Sequence, residues 1–148
     1  ESFSLKKNEL ITFFEEVNYN PPINEDVDLE KYALKLINKA NIVVLREENK
    51  LVGLCAFYCN SLEAQKGFIS SIGLLKEYQG RGLSEKLLKA VIEVSTNKEM
   101  RSLFLEVFSG NKRAISFYKK NSFVIVDSFI KYSKKGEKRC WYLMKKKL

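Results

Sequence analysis

The sequence has no histidine, only two prolines, and three cysteines that show no metal-ligand spacing. The absence of histidine excludes a Ser-His-Asp triad, a Cys-His catalytic pair and histidine-bound zinc. Any acid–base chemistry must therefore use carboxylates, tyrosine, lysine, cysteine, water or the substrate itself. Cys55 and Cys59 lie about 13 Å apart on one predicted strand, beyond the reach of a disulfide or of a shared metal ion. We interpret them as small core residues, and we expect a cytoplasmic, reducing environment and no metal.

Long hydrophobic runs are also missing, since no stretch approaches the ~20 apolar residues of a membrane span. No repeat or linker divides the 148 residues, so we expect one domain over residues 1–148. The charge is one-sided: 26 lysines and arginines against 18 acidic residues give a net charge of +8. This excess favours an anionic partner such as nucleic acid, an acidic lipid surface or a polyphosphate cofactor. The sequence has no recognition-helix signature and no paired aromatics on a basic strand, so we expect neither nucleic acid nor a membrane as the partner.

The apolar periodicity predicts an α/β (α+β) protein. Two helices are predicted before and after the proline-bearing loop Tyr19 to Asn24, with Ser4 and Asp28 available as N-caps. Two more are predicted, one from Leu83 and one over residues 114–120. Strands are predicted over residues 42–45, 51–59, 68–75, 102–108, 123–132 and 139–145. This order predicts a mixed, mostly antiparallel central sheet of about six or seven strands with about four flanking helices.

A glycine-containing loop joins the third predicted strand to a helix. It reads Gln79-Gly80-Arg81-Gly82-Leu83-Ser84. The first turn of a helix leaves backbone N–H groups unpaired and carries partial positive charge, so an anion can bind there if no bulky side chain blocks its approach. The two glycines and the small Ser84 leave that approach open, and Arg81 can add charge. By themselves these residues fit an ordinary tight turn as well as a phosphate site, and they match neither a Walker loop nor a dinucleotide fingerprint.

The loop resembles the cofactor motif of the GNAT superfamily of N-acetyltransferases, Gln/Arg-x-x-Gly-x-Gly/Ala, with Ser84 where glycine or alanine is usual. A second stretch is similar to the same family's signature at the expected distance. It consists of Leu103-Phe104-Leu105-Glu106-Val107, Asn111, Ala114-Ile115-Ser116-Phe117-Tyr118 and Phe123. Ser122 replaces the glycine that usually precedes this phenylalanine. The resemblance implies the GNAT fold, splayed between the fourth and fifth strands, and an acetyl-CoA-dependent N-acetyltransferase.

The resemblance also assigns residues to acetyl-CoA. Backbone groups of Ile72 and Leu74 would pair with the pantetheine arm as an added strand would. The N–H of Leu74 would face the thioester carbonyl. Asn111 would contact the lower pantetheine region. The pyrophosphate would bind to Gln79, Gly80, Arg81, Gly82, Leu83 and Ser84.

Tyr118 and Glu106 are the catalytic residues that the resemblance implies. Tyr118 stands at the general-acid position, in contact with the cofactor, and a phenol can protonate the departing thiolate at neutral pH. Glu106 precedes it at a spacing similar to that of the base and the acid in ribosomal-protein alanine acetyltransferases. A chain of waters is the alternative base, and Glu106 is alternatively a carboxylate that pairs with a lysine. Direct attack by a neutral amine needs no enzyme nucleophile, so the cysteines have no required role.

The acceptor stays open. It would be set by residues 19–27, by residues 58–65, and by the last two strands with their connection at residues 134–138. Tyr58 and Asn60 could line the acceptor side. An amino sugar or nucleotide sugar, a peptide amine and a small amine are all compatible, and a homodimer is an open possibility. The alternative function is a non-catalytic module that binds acetyl-CoA, against which the presence of both Tyr118 and Glu106 argues.

Overall fold

The computed structural model describes residues 5–17, 19, 21–22 and 27–148, which form four α-helices and six β-strands. The helices are α1 (Lys7–Glu16), α2 (Leu29–Lys39), α3 (Leu83–Asn97) and α4 (Lys112–Lys120). The strands are β1 (Asn41–Glu47), β2 (Lys50–Ser61), β3 (Lys66–Leu74), β4 (Ser102–Phe108), β5 (Val124–Tyr132) and β6 (Lys138–Lys147). A short 3-10 turn, Lys76–Tyr78, leads from β3 towards the loop before α3.

The six strands form one sheet in the order β1-β2-β3-β4-β6-β5. Neighbouring strands are antiparallel, except that β3 and β4 run parallel. Parallel neighbours need a long crossover connection, and α3 provides it. β5 and β6 form a hairpin whose second strand lies beside β4, which leaves β5 at the edge of the sheet.

The helices cover opposite faces of the sheet. Side chains alternate along β2, so Leu54 and Ala56 pack under α1 and α2 whereas Cys55 and Phe57 pack under α3 and α4. The first core consists mainly of Leu10, Phe13, Phe14, Ala33, Leu36, Leu54 and Ala56. The second consists mainly of Phe57, Ile69, Leu88, Val91, Leu103, Leu105, Ile115, Phe123 and Met144. Each such aliphatic or phenylalanine side chain stabilises the fold by about 1.5–3 kcal/mol through burial.

Local sequence choices account for several element ends. Asp28 caps α2 by accepting hydrogen bonds from the N–H groups of Glu30 (3.1 Å) and Lys31 (3.3 Å). The β1–β2 turn is formed by Glu48 and Asn49, whose φ angles of 49° and 71° match a tight hairpin with primed geometry.

Ser122 occupies a backbone position that favours glycine. Its φ angle is 73°, in the left-handed region, and its side chain is exposed. The N–H of Ser122 still donates to the carbonyl of Lys119 at 3.1 Å, so the turn keeps its shape despite the substituted residue. A non-glycine residue in this region costs about 1–2 kcal/mol.

The expected fold is confirmed, with six strands and four helices in the described ranges. Counted along this chain, the strands that diverge are the third and fourth, one earlier than in the family count. α4 begins at Lys112 and β6 extends from Lys138 to Lys147, so both elements are longer than predicted. Ser4 lies outside the described residues, and α1 begins at Lys7. None of the helices in the described part of the chain is long and apolar enough to cross a membrane.

Candidate active site

β3 and β4 separate part-way along their length and open a wedge in the sheet. Their parallel pairing ends at Ile69 and Leu105. β3 nevertheless stays paired with β2 up to Leu74, and β4 with β6 up to Phe108. The carboxyl ends of the two strands therefore lack each other as partners, and their backbone groups line the wedge.

The backbone of Ile72 and Leu74 faces this wedge. The N–H of Leu75 donates to the carbonyl of Val52 at 2.9 Å, so the polar groups of Leu75 point towards β2. Backbone groups alternate in direction along a strand, which turns those of Leu74 and Ile72 towards the opposite edge. An extended ligand can add to such an edge as a further strand. This orientation agrees with backbone pairing of both residues to a pantetheine arm, and that pairing stays a prediction.

A β-bulge in β3 places two serines at the mouth of the wedge. The register between β2 and β3 skips Ser70, which makes it the extra residue of the bulge. The Tyr32 hydroxyl lies 2.7 Å from Ser70 Oγ, and the Tyr19 hydroxyl lies 2.7 Å from Ser71 Oγ. Burial raises the pKa of both tyrosines, so both hydroxyls keep their protons and hold the bulge in place. The ring of Tyr19 rests on Gly73, where an added Cβ would lie 2.8 Å from the tyrosine oxygen.

The loop before α3 presents unpaired backbone N–H groups. Gly80 and Gly82 have φ angles of 79° and 74°, which favour glycine. The N–H of Lys86 is the first to bond within the helix, to the carbonyl of Gly82 at 3.3 Å, and no side chain of the described residues caps the turn. The N–H groups of the first helical turn therefore point outwards at the positive end of the helix dipole. The backbone around both glycines is open, so a phosphate group fits this loop.

The two long polar side chains of this loop act differently. Gln79 donates from Nε2 to the carbonyl of Leu74 at 3.1 Å and ties the loop to the end of β3. Arg81 donates to the carbonyl of Glu77 at 3.0 Å, and its guanidinium lies 5.2 Å from the ring centroid of Tyr78. Arg81 therefore stabilises the preceding turn, and its predicted contact with phosphate stays a prediction.

Two cavities adjoin the wedge. The loop cavity, of about 290 Å³, lies between the loop of residues 79–84, the end of β3 and α4. Nine of the ten predicted cofactor residues line it, Arg81 being the exception. The nine are Ile72, Leu74, Gln79, Gly80, Gly82, Leu83, Ser84, Asn111 and Tyr118. The carboxylate of Glu85, which also lines this cavity, lies 3.8 Å from the ammonium of Lys120.

The hairpin cavity, of about 360 Å³, lies on the other side of the wedge. It is bounded by the bulge in β3, by the end of β4, by the β5–β6 hairpin and by residues 19, 21–22 and 27. Glu106, Lys131 and Trp141 line it together. The two cavities share five residues, namely Tyr19, Ile72, Asn111, Ala114 and Tyr118.

Tyr118 stands where the two cavities meet. It lies on α4, is 8% exposed, and packs its ring edge-on against Phe117 and Phe123 with centroids 5.5 and 5.6 Å away. Burial raises the pKa of Tyr118 well above its usual range, so the hydroxyl stays protonated at neutral pH. This hydroxyl has no hydrogen-bond partner among the described residues. Tyr118 therefore has a proton to donate and no competing acceptor within the described chain.

Glu106 is engaged by a lysine. Its Oε1 lies 2.7 Å from Lys131 Nζ, and the two side chains are 33% and 49% exposed. The ammonium of Lys131 also lies 4.7 Å from the ring centroid of Trp141, which is a cation–π contact. Glu106 does lie on the strand face opposite the buried Leu105, as predicted. The structure thus contains the lysine pairing that the sequence left open as an alternative, and the proposed base role stays untested.

Asn111 forms the N-cap of α4. Its side-chain oxygen accepts a hydrogen bond from the N–H of Ala114 at 3.2 Å. The residue lines both cavities, so the cap also orients its amide beside the wedge.

Tyr58 and Asn60 do not line either of these two cavities, and their place on the acceptor side stays a prediction. Tyr58 points to the face of β2 that α1 and α2 cover, and Asn60 is exposed at the end of that strand. Cys55 and Cys59 are buried and free, which confirms their place in the core, and burial raises the pKa of the Cys55 thiol. The described residues contain no group of histidine, cysteine or acidic side chains that could hold a metal ion.

Comparison with known proteins identifies the family. The profile of the acetyltransferase (GNAT) family matches residues 8–123, and the chain belongs to this family. The chain is 29% identical to N-alpha-acetyltransferase 30 of Schizosaccharomyces pombe over 79 residues, which cover 53% of each protein. It spans about half the length of the curated relatives that it matches first.

Solved structures share the fold. The ribosomal-protein-S18-alanine N-acetyltransferase from Escherichia coli superimposes with a TM-score of 0.79 at 16% identity, over 98% of this chain and 91% of the other. A GNAT family acetyltransferase from Elizabethkingia anophelis with acetyl-CoA bound gives 0.66 at 18% identity, over 80% of this chain and 82% of the other. At these identities the likeness establishes the fold alone.

Sequence reasoning missed two features of the site. The tyrosine hydroxyls that hold Ser70 and Ser71 come from α2 and from the loop after α1, which no local pattern links to β3. Lys131 was also missed, although it is the one lysine in the otherwise largely apolar strand β5. Its position on a strand of mainly apolar residues was the available signal.

Proposed function

We propose that this chain transfers the acetyl group of acetyl-CoA to a primary amine. The observation that carries the proposal is the position of Tyr118, which lies between a cavity built on the glycine loop of residues 79–84 and a second cavity that contains Glu106. The first cavity is the proposed donor side and the second is the proposed acceptor side.

The donor side offers backbone groups along its whole length. The free amides of the loop around Gly80 and Gly82 would hold the pyrophosphate, and the open edge at Ile72 and Leu74 would hold the pantetheine arm. The lining of the loop cavity by Asn111 supports its proposed contact with that arm. Acetyl-CoA supplies an acyl group already activated as a thioester, so the chain needs no nucleophile of its own.

Tyr118 is the proposed general acid. Its raised pKa keeps the phenol protonated at neutral pH, so the proton is in place when the thiolate departs. The backbone N–H of Leu74, which faces the wedge, is the proposed donor to the carbonyl oxygen that gains negative charge.

Glu106 is the proposed base. It can accept the proton of an incoming ammonium group only after the ammonium of Lys131 has moved away, because the two are in contact at 2.7 Å. The acceptor must therefore compete with Lys131 for this carboxylate. A Glu106→Gln variant tests this role: a large loss of turnover supports Glu106, whereas a small loss supports the alternative of a water chain.

The proposed acceptor is a peptide amine. The name of one similar protein, an N-alpha-acetyltransferase, supports a chain terminus as the acceptor. The hairpin cavity is open to solvent along the exposed strand β5, which leaves room for a chain to continue beyond the reacting amine. Amino sugars and small amines are the competing classes.

The test begins with donor binding. Acetyl-CoA at about 100 times its Kd should stabilise the fold by about 2.7 kcal/mol, which raises Tm by about 5–10 °C for a chain of this length. Gly82→Ala should weaken this shift, because Gly82 lines the loop cavity. Gly136→Ala is the matched control, since Gly136 has a similar φ of 85° and open surroundings but lies in the β5–β6 turn. No shift in the unmodified chain would contradict the proposal.

The second step measures release of free CoA thiol with panels of peptides, amino sugars and polyamines. Turnover with peptides supports the proposed acceptor class, and turnover only with another panel replaces it. A Tm shift without turnover on any panel would support the non-catalytic module instead.

A further inference from the structure

The side chain of Lys131 reaches across a neighbouring strand towards the wedge. β5 and β4 are not adjacent, because β6 lies between them, so their backbones are about 10 Å apart. The Lys131 side chain passes over the indole of Trp141, at 4.7 Å from the ring centroid, and ends 2.7 Å from Glu106 Oε1. The lysine amine is thereby carried from the edge of the sheet to the strand that borders the wedge.

The amine of Lys131 contacts the carboxylate that is the proposed base for the acceptor amine. Glu106 is the carboxylate proposed to take the acceptor's proton, and its Oε1 is in contact with this primary amine. Both residues line the same cavity as Tyr118. The lysine side chain is 49% exposed and has a flexible four-carbon stem, so its amine can move towards the wedge.

We propose that Lys131 is a self-acetylation site that uses the same machinery as the acceptor reaction. This inference rests on the proposed function. The Lys131 ammonium gives one proton to Glu106, and the neutral amine attacks the acetyl carbonyl carbon of bound acetyl-CoA. The N–C bond forms as the C–S bond breaks, and the departing thiolate takes a proton from Tyr118. The acylated nitrogen loses its second proton to water, Tyr118 regains a proton from solvent, and Glu106 releases the proton that it received. The products are therefore N-acetylated Lys131, free CoA and one proton.

Acetylation would change the acceptor side of the site. An acetylated lysine is neutral, so it loses the ion pair with Glu106 and the cation–π contact with Trp141. The carboxylate of Glu106 is then available to an acceptor ammonium without competition from Lys131. The modified chain should therefore show a lower KM for the acceptor amine than the unmodified chain, with kcat much less affected.

The reaction is tested by incubating the full chain with acetyl-CoA and no acceptor, followed by intact-mass and peptide-mapping mass spectrometry. We expect one added acetyl group at Lys131, formed at least about tenfold faster than at other lysines because the amine is held beside the reacting group. The rate constant should not depend on protein concentration, since the transfer is within one chain. Tyr118→Phe should slow it strongly.

Two arginine variants serve as a matched pair. Lys131→Arg keeps the positive charge and should abolish the modification. Lys50→Arg should leave it unchanged, because Lys50 is also ion-paired, to Glu16 at 3.8 Å, and similarly exposed at 56%, but lies on the distant β1–β2 hairpin. Acetylation of Lys50 at the rate of Lys131, or a rate insensitive to Tyr118→Phe, would show ordinary chemical acetylation and overturn the inference.

Failure of self-acetylation at Lys131 can be distinguished from failure of the proposed acetyltransferase function. If acetyl-CoA raises Tm and peptide amines are acetylated while Lys131 stays unmodified, the self-acetylation site is wrong and the proposed function stands. If acetyl-CoA neither raises Tm nor is turned over, the proposed function itself fails. Lys131→Arg should retain the Tm shift, which shows that loss of the modification in this variant does not come from loss of the donor.

Discussion

Replacement of Tyr118 by phenylalanine separates a catalytic hydroxyl from a structural one. The ring packs against Phe117 and Phe123 and is kept by the substitution, so only the oxygen is lost. That oxygen has no hydrogen-bond partner among the described residues. The hydroxyl borders two cavities that are open to water, so its removal breaks no hydrogen bond within the described residues and leaves no buried group unpaired. We expect the free energy of unfolding to stay unchanged or to rise by up to about 1 kcal/mol.

The Tyr118→Phe substitution should therefore lower kcat without lowering Tm. A gain of about 1 kcal/mol corresponds to a rise in Tm of about 2–4 °C for a chain of this length. Loss of a general acid lowers kcat by about 10²–10⁴-fold, while KM for acetyl-CoA and its Tm shift remain close to those of the unmodified chain. Tm is measured by scanning calorimetry and kcat by release of CoA thiol.

Tyr132→Phe is the control for this experiment. Tyr132 lines the hairpin cavity but is 68% exposed, so loss of its hydroxyl should change kcat by less than about twofold. Undiminished turnover by Tyr118→Phe would refute the general-acid role. A fall in Tm of several degrees would show that the hydroxyl has a structural partner, and the loss of turnover could then not be assigned to proton transfer.

Three further predictions concern stability and reactivity. Ser122→Gly should raise the free energy of unfolding by about 0.5–1 kcal/mol in urea titrations, because it relieves the left-handed φ of 73° at some cost in unfolded-state entropy; a decrease would contradict this account. Burial raises the folded-state pKa of Tyr19 and Tyr118 above the unfolded value of about 10, so stability from this source is complete below about pH 10. It should fall above that pH by about 1.4 kcal/mol per pH unit for each tyrosine, and Tyr118→Phe should remove its own share of the slope. A thiol reagent should modify only the partly exposed Cys140 in the native chain and all three cysteines in urea; rapid reaction of more than one native thiol would disprove the burial of the other two.

The parts of the site that are formed by consecutive residues were predictable from sequence. The free N–H groups before α3 depend only on a strand, two glycines and a helix in succession, and Gln79 to Ser84 display that succession. The cavity lining followed as well, because the family motif places Asn111 and Tyr118 on a short helix beside the same wedge.

The parts that depend on strand order were not predictable. Residues 123–132 and 139–145 indicate a hairpin, but not that its second strand lies beside β4. That order decides that Lys131 must cross β6 to reach Glu106, so their pairing has no local signature. The bulge at Ser70 depends on the pairing register with β2, and alternation within β3 alone does not reveal it.

The open edge of β3 also allows ligand binding in the wedge to be followed by amide hydrogen exchange. Without a ligand the amides of Ile72 and Leu74 face no strand partner among the described residues, so their hydrogens should exchange rapidly with deuterium. A ligand that completes the sheet along this edge would slow their exchange, whereas the amide of Leu75, which is bonded to Val52, should exchange slowly in both states. Hydrogen exchange at Ile72 and Leu74, with Leu75 as the internal reference, can therefore measure how far along the strand any donor analogue reaches.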